Sequence, residues 1–337
     1  MADLFDDLIG QAQAVSLLRA TLAQGRLATA YLFAGPEGVG RRLAARRFLE
    51  GLLAGPGGSA RLRRRLLEGN HPDLLWLEPT YQHQGQLVPA SQAVQQGLSK
   101  RGLPQLRLEQ VREISRFLSR RPLESSRCLV VIEAVEAMAE GAANALLKTL
   151  EEPGEGVLIL LCSAPERLLS TIRSRCQQIP FARLDATAMA RVLEGLVADG
   201  RAPEGPVLAE SSLPDPDPPA LLDLAGGSPG ALLHHREQWR GLPEGLAHRL
   251  LEGSGAPIEA LALARDLCEA LDLDQQLWLL NWWQWQRWQR DHRASDQRRI
   301  ERLRGQLKGF VQPRLAWEVA LLELIPKEGQ PARGQSG

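Results

Sequence analysis

The chain has 337 residues, enough for about two or three domains, and 44% of them are apolar, which predicts a globular protein with substantial cores. Forty basic residues balance forty acidic ones, so no global positive field draws the chain to nucleic acid, and any DNA contact must depend on local patches. The amino terminus is acidic where a signal peptide would be basic, and no apolar run reaches the roughly 18 residues that a membrane helix needs. We therefore expect a cytoplasmic protein without membrane contact.

The first half of the chain alternates helical and strand patterns. Apolar residues recur at helical spacing over 11–24, 41–53, 108–118 and 142–152. Short apolar runs predict strands at Ala30–Ala34, Leu74–Leu77, Cys128–Glu133, Val157–Cys162 and Gln178–Phe181. Apart from the strand at 74–77, the segment 54–100 is expected to be irregular. Strands that alternate with helices in this way predict a parallel, doubly wound sheet.

After the last strand the pattern becomes helical. Asp185 is placed to cap a helix over 186–198, and a proline-rich, acidic connection over 201–220 follows it. From about Gly241 onward every segment is predicted to be helical, including a tryptophan-dense one at 277–290. The chain therefore divides into an α/β domain, a small helical domain, a helical carboxy-terminal domain and a disordered tail, with bounds at 1–183, 184–238, 239–330 and 331–337.

A glycine-rich loop, GPEGVGRR, lies between the first predicted strand and the following helix, the context of a phosphate-binding P-loop. Gly35 and Gly40 have the spacing of GxxxxGK[ST], with Gly38 between them. Arg41 replaces the lysine that reaches the phosphates, and Arg42 replaces the hydroxyl that holds magnesium. Arginine is larger and planar, so the first exchange is not conservative, and Arg42 cannot ligate magnesium. The loop favours a retained fold element over an active ATPase.

The segment from Asn144 to Pro153, NALLKTLEEP, closely resembles the clamp-loader subunits of bacterial DNA polymerase III, which are AAA+ proteins. The resemblance covers about the first 235 residues, with a P-loop remnant, an HPD stretch, a Walker B strand, this helix and a TIRSRC loop in the expected order. It implies an α/β AAA+ domain with a P-loop type parallel sheet, followed by an all-α lid at 184–238 and an all-α collar domain at 239–330 that serves oligomerisation.

The resemblance also assigns positions in the nucleotide site. Glu133 falls at the Walker B aspartate that binds magnesium, and Ala134 at the glutamate that activates water, which alanine cannot replace. Glu136 is expected to be a solvated loop charge. Ser163 is nearest to the polar residue that senses the terminal phosphate, although it is equally able to cap a turn. Gly230 falls at the arginine of the second sensor, which would then be absent.

The TIRSRC loop resembles the SRC motif whose arginine enters the ATP site of a neighbouring subunit. The resemblance makes Arg175 an arginine finger acting in trans, with Ser174 in the same site, because a guanidinium stabilises the negative charge that develops during phosphoryl transfer. The alternative is an arginine that caps backbone carbonyls or pairs with an acid. Arg173 is expected to be a surface or DNA-facing charge, and Cys176 a packed small residue.

Other features favour structural roles. The chain has four cysteines and no CxxC pair, which argues against a zinc ribbon or a disulfide framework. Relatives carry a four-cysteine zinc module before the second strand, and this chain has no cysteine before Arg127, so we expect no metal site. His71 in HPD is interpreted as a turn residue. The basic run is interpreted as a solvated helix face; it contains Arg61, Arg63, Arg64 and Arg65.

The tryptophans at 278, 282 and 285 share one helical face, with Trp283 and Trp288 nearby. Stacking on nucleic-acid bases is one reading of this pattern. Packing in a helical core or a subunit interface is favoured, since the resemblance implies a collar that holds several subunits together.

The implied function is that of a clamp-loader subunit with no cofactor of its own, beside a neighbour that binds ATP and magnesium. The implied partners are the tau or gamma subunits and delta, with the sliding clamp (beta) and primer-template DNA reached through the complex. Three alternatives stay open: a nucleotide-binding ATPase subunit, a purely structural scaffold, and an unrelated DNA-binding AAA+ protein.

Overall fold

The computed structural model describes residues 3–83, 85–93, 103–152, 154–198, 219–253, 255–309 and 311–325. They divide into two compact units. Among the described residues, one unit contains the α/β sheet, with 225–234 joined to it, and the other contains Leu103, 219–224 and the helices between His235 and residue 325. The division into three domains at residues 183 and 238 stays a prediction.

The first unit is built on a five-stranded parallel sheet, as the alternating pattern predicts. Its strands are β1 (Ala30–Ala34), β2 (Leu74–Leu77), β5 (Leu129–Ile132), β6 (Val157–Cys162) and β7 (Gln177–Pro180). Their order across the sheet is β2-β5-β6-β1-β7, and every neighbouring pair is parallel. All residues of β5 and β6 are buried, which explains why these strands read as unbroken apolar runs.

Helices cover both faces of this sheet. On one face α1 (Ala12–Gln24) and α2 (Arg41–Ala54) pack on side chains such as Phe33 and Ile159. On the other face α4 (Leu108–Leu118) and α5 (Glu140–Glu151) pack on side chains such as Leu32 and Leu160. Successive residues of a strand point to opposite faces, so each central strand contributes to both cores. The predicted strands and helices agree with the observed ones to within about two residues.

Apart from the strand at 74–77, the segment 54–100 was predicted to be irregular, and for its described part, 54–83 and 85–93, this is wrong. It contains α3 (Ala60–Leu67) and an antiparallel hairpin of β3 (Thr80–His83) and β4 (Gln86–Pro89). The hairpin strands, TYQH and QLVP, are largely polar and exposed, so they lack the apolar alternation that predicts a strand. Ser59 caps α3 by accepting a hydrogen bond from the amide of Leu62 (3.4 Å).

The carboxy-terminal part of the described chain is helical, as predicted. After the short α6 (Ser170–Arg173) come α7 (Ala186–Ala198), α8 (Pro219–Ala225) and α9 (Pro229–Arg240). The capping role of Asp185 is confirmed, because its carboxylate accepts a hydrogen bond from the amide of Ala188 (2.7 Å). The second unit contains α10 (Leu246–Glu252), α11 (Pro257–Ala270), α12 (Leu273–Asp291), α13 (Ala294–Lys308) and α14 (Pro313–Leu324).

The tryptophans of α12 separate into two groups. Trp278, Trp282 and Trp283 are buried in the second unit, and the ring of Trp283 lies 6.2 Å from that of Trp317. The core interpretation is therefore confirmed for these three. Trp285 is half-buried and Trp288 is 42% exposed, and both line an open pocket of about 410 Å³.

Candidate functional site

The P-loop joins the end of β1 to the start of α2, so the predicted order of strand, loop and helix is confirmed. Gly38 (φ +75°) and Gly40 (φ +104°) adopt the left-handed conformation that favours glycine. At Gly35 the requirement is close approach: an added Cβ would lie 2.2 Å from the backbone oxygen of Phe181. The local backbone therefore favours glycine at each of these three positions.

Arg41 lies at the lysine position of this loop and is turned inward. Its Nε and Nη1 are buried, and none of the described residues accepts a hydrogen bond from them. Burial lowers the pKa of Arg41, while the nearby carboxylates of Glu136 and Glu37 act in the opposite direction. The guanidinium therefore has acids nearby but no hydrogen-bond acceptor for these two nitrogens among the described residues.

Arg42 forms an ion pair with Glu133 at the end of the Walker B strand. Its Nε lies 2.8 Å from the Glu133 Oε1, although the N–H is not aligned for a hydrogen bond. The indole Nε1 of Trp76 donates a hydrogen bond to the same oxygen, and the Arg42 guanidinium lies 5.8 Å from the centre of that ring. Burial raises the pKa of Glu133, and Arg42 and Trp76 oppose that shift.

These contacts decide whether the site fits a magnesium nucleotide. Magnesium requires oxygen ligands in a nearly octahedral arrangement. Arg42 stands where the hydroxyl ligand would be, and its guanidinium offers no lone pair. The Oε1 of Glu133 is already in contact with the guanidinium of Arg42 and accepts a hydrogen bond from the indole of Trp76. The side chains present therefore do not fit magnesium.

Glu136 is not the solvated loop charge that was predicted. Its Oε1 accepts hydrogen bonds from the amide (2.9 Å) and the hydroxyl of Ser163, and its Oε2 is buried. Ala134 adopts a left-handed conformation (φ +45°) that turns the chain sharply after β5. That turn directs Glu136 toward the end of β6, which strand geometry alone does not predict.

The residue at the second sensor position, Gly230, lies in the first turn of α9 and contacts the P-loop directly. Its amide donates a hydrogen bond to the carbonyl of Gly38 (3.0 Å). Beside it, the hydroxyl of Ser228 donates to the carbonyl of Glu37 (2.6 Å). Ser228 was not singled out from the sequence, although a serine just before a proline is a recognised signal for the start of a helix.

Arg175 follows α6 and is the outward-facing cation of the TIRSRC loop. Its Nη2 donates to the Oε1 of Glu151 (2.8 Å), and its Nη1 donates to the carbonyl of Thr171 (3.1 Å). The side chain is 38% exposed and that of Glu151 is 52% exposed. Ser174 is also exposed, and its hydroxyl donates to the carbonyl of Thr171 (3.2 Å).

Within this chain Arg175 does what the alternative to an arginine finger expects: it caps a backbone carbonyl and pairs with an acid. An exposed ion pair of this kind contributes only about 0–1 kcal/mol, so it restrains the side chain weakly. Arg173 makes a longer contact, from its Nη1 to the carbonyl of Pro165 (3.5 Å). Burial raises the pKa of Cys176 to about 11, which keeps its thiol protonated and fits a packed residue.

The basic run of α3 is more than a solvated helix face. Arg63 donates to both oxygens of Glu50 (2.9 and 3.2 Å), a fully buried carboxylate. Arg47 and the amide of Ser59 also contact Glu50. These contacts hold α3 against α2. They lie in the part of the chain where relatives are expected to carry a zinc module and where this sequence has no cysteine.

His71 is buried and its Nδ1 accepts a hydrogen bond from the amide of Asp73 (3.2 Å), in keeping with the turn interpretation. Among the residues that the structure describes, no group of His, Cys, Asp and Glu is arranged to hold a metal ion. No helix in the described ranges has both the length and the apolar character needed to cross a membrane.

The sheet order, the P-loop between β1 and α2 and the acidic residue at the end of β5 define an α/β domain of the AAA+ class. The family model "DNA polymerase III, delta subunit" matches residues 10–185, more than half of the chain. A second model, "Cyanobacterial DNA polymerase III delta prime, C-terminal domain", matches residues 206–324. The chain belongs to this DNA polymerase III family, as a member of its delta-prime kind.

Curated relatives agree with this assignment. The chain is 33% identical over 254 residues to the DNA polymerase III subunit delta' of Pseudomonas aeruginosa, covering 72% of this chain and 65% of that protein. It is 34% identical over 185 residues to the delta' subunit of Bacillus subtilis, covering 53% of this chain and 50% of that protein. The chain thus spans about half to two thirds of the length of these relatives.

More distant similarity extends to a second kind of subunit. The tau/gamma subunit of Haemophilus influenzae is 29% identical over 235 residues, covering 68% of this chain and 29% of that protein. A solved gamma subunit-related protein from Thermotoga maritima has a TM-score of 0.49 and 17% identity, covering 92% of this chain and 98% of that one.

Proposed function

We propose that this chain is the delta-prime subunit of a bacterial DNA polymerase III clamp loader, that it does not hydrolyse ATP, and that it presents Arg175 to the ATP site of a neighbouring subunit. Its partners are the tau or gamma subunits and delta. Through the assembled complex it helps to place the sliding clamp (beta) on primed DNA in the cytoplasm. ATP and magnesium are bound by the neighbouring subunit.

The observation that carries the proposal is a difference between the partners of two arginines. Arg42 is paired with Glu133, a largely buried carboxylate (20% exposed) at the position where an active site would hold a magnesium ion. Arg175 points outward, and only weak, exposed contacts restrain it. In phosphoryl transfer the negative charge spreads over the terminal phosphate, and a guanidinium supplied by an adjacent subunit stabilises that charge. The chain therefore retains a group useful to a neighbour.

The main alternative is a nucleotide-binding ATPase subunit of the tau or gamma kind, to which the chain is 29% identical. The buried nitrogens of Arg41, the pairing of Arg42 with Glu133 and the alanine at 134 disfavour it. A purely structural scaffold would assemble in the same complex without using Arg175. A DNA-binding AAA+ protein of another kind would bind DNA without partners.

The test of the proposed assembly is co-purification. The full chain, carrying an affinity tag, is co-expressed with the tau or gamma and delta subunits of the same organism. We expect one stable complex to be recovered, and little binding of primed DNA by the chain alone. Recovery of the tagged chain alone from a lysate that contains soluble tau or gamma and delta would contradict the proposal.

A further inference from the structure

The first turn of α9 and the P-loop are joined backbone to backbone. The amide of Gly230 donates to the carbonyl of Gly38 (3.0 Å), and the buried hydroxyl of Ser228 donates to the carbonyl of Glu37 (2.6 Å). The same Ser228 oxygen accepts a hydrogen bond from the amide of Ala231 (3.2 Å) and so caps α9. One serine thus both starts the helix and attaches it to the loop.

This approach is possible only because two glycines face each other. A Cβ added at Gly230 would lie 2.7 Å from the Cα of Gly38. A Cβ added at Gly38 would lie 2.6 Å from the amide nitrogen of Ala231. Both contacts are with backbone atoms, which cannot rotate aside as the end of a side chain can. Any residue larger than glycine at position 230 would therefore separate α9 from the loop.

A second set of contacts holds the chain that leads to α9. The amide of Leu184 donates to the carbonyl of Gly227 (2.7 Å), and the Nη1 of Arg183 donates to the carbonyl of Gly226 (2.8 Å). Buried Gln11 donates to the carbonyls of both Val39 (3.1 Å) and Ala182 (2.7 Å). The P-loop, the segment after β7 and the first turn of α9 thus form a closed circuit of hydrogen bonds.

We infer that the P-loop has a permanent internal partner, the first turn of α9, and that the contact between Gly38 and Gly230 closes the lid helix on the loop without a nucleotide. Gly230 therefore does more than remove the arginine of the second sensor, because its backbone holds α9 against the P-loop. ATP has no influence on this closure, because the contacts that hold it lie within the chain. The inference goes beyond the proposed function and applies to the isolated protein.

The test is amide hydrogen exchange of the full chain, read at Gly230 to Leu232, with and without MgATP. We expect these amides to be protected without nucleotide and unchanged by millimolar MgATP. The variant Gly230→Ala should raise their exchange rate by about tenfold or more, since losing one buried hydrogen bond and its close packing removes upwards of about 1.4 kcal/mol of local stability. Exchange in β6 should stay slow.

The matched control is Gly195→Ala in α7. A Cβ at Gly195 meets nothing within 4 Å, and alanine favours a helix, so exchange at the start of α9 should match the wild type. If Gly230→Ala unfolds the chain, as fast exchange in β6 would reveal, Ser228→Ala removes the second hydrogen bond and should also raise exchange at 230–232.

Two results would overturn the inference. One is that Gly230→Ala and Ser228→Ala both fold and that the amides of 230–232 exchange in both at the wild-type rate. The other is a several-fold increase in protection of the wild-type chain when MgATP is added, which needs no variant to interpret and would mean that a nucleotide, not Gly38, closes the helix.

Discussion

The P-loop region and the TIRSRC loop both have arginines at positions that matter for nucleotide chemistry, but the two regions use them in opposite ways. Arg41 has two buried side-chain nitrogens, and Arg42 is paired with Glu133, whose side chain is only 20% exposed. Arg175 is held at the surface by Glu151 and the carbonyl of Thr171. The side chains of Arg42 and Arg175 are about equally exposed (37% and 38%), so the difference lies in their partners. The carboxylate of Glu133 is largely buried, whereas that of Glu151 is 52% exposed, so Arg175 can leave its partner at little cost.

The difference indicates how an AAA+ domain can keep its shape after its own site no longer fits magnesium. A carboxylate at the end of β5 would be costly to bury without a positive charge beside it. The guanidinium of Arg42 supplies that charge from within the chain. Loss of Arg42 should therefore reduce stability, because its partner Glu133 is largely buried, while loss of Arg175 should leave stability almost untouched.

Two changes are expected to give the largest losses of stability, and Arg42→Ala is the first. It removes the guanidinium paired with Glu133 but leaves the Trp76 indole and the nearby charge of Arg46, so we expect a loss of about 2 kcal/mol in the free energy of unfolding, since the pair is only partly buried. Arg175→Ala is the matched change and should stay within about 0.5 kcal/mol of the wild type. Urea unfolding followed by circular dichroism measures both. Equal losses in the free energy of unfolding for the two variants would show that the two arginines do not differ in their contribution to stability.

A buried carboxylate elsewhere in the first unit, Asp73, should make the stability of the fold depend on pH. Burial alone would raise its pKa, but hydrogen bonds from the amides of Leu123, Glu124 and Ser125 and from the Ser125 hydroxyl lower it to about 2, below the ordinary 3.8. A lowered pKa stabilises the fold above about pH 4, and this stabilisation disappears as the pH falls toward 2.

Replacement of Asp73 by Asn should accordingly cost about 2 kcal/mol at pH 7, and the deficit should shrink as the pH falls from 4 to 2. Urea unfolding at several pH values measures this difference. A deficit independent of pH would mean that shape, and not the charge of Asp73, is what the turn requires. Arg175→Ala should have the same small effect on stability at each pH, because its partner Glu151 is exposed.

The sequence predicted much of this fold, because buried parallel strands such as β5 and β6 read as continuous apolar runs and the glycines of the P-loop have a fixed spacing. The β3–β4 hairpin was missed because its strands are polar. The position of Glu136 depends on the left-handed turn at Ala134, an unusual conformation for alanine that no local pattern predicts. The contact of Gly38 with Gly230 joins residues 192 positions apart (230 − 38), so only the tertiary structure reveals it.

The site residues were predicted on two different grounds. Arg41 and Arg42 followed from the P-loop spacing itself, since each replaces a residue with a known task. Arg175 followed only from resemblance to a motif, and its contacts with Glu151 and Thr171 are those of an ordinary surface arginine. A trans-acting role needs the neighbouring subunit, and what the geometry of this chain adds is that Arg175 is exposed and held only by weak contacts.

The most direct test of the central claim is ATP hydrolysis by the complex reconstituted with tau or gamma and delta, using Arg175→Ala and, as the matched control, Arg173→Ala. We predict that Arg175→Ala lowers single-turnover hydrolysis at the neighbouring site by about 10³-fold, with or without primed DNA, while the complex stays assembled in gel filtration. Arg173→Ala should keep the wild-type rate when DNA is absent, a condition in which a DNA-facing charge has no effect. Wild-type hydrolysis by an intact complex containing Arg175→Ala would contradict the account.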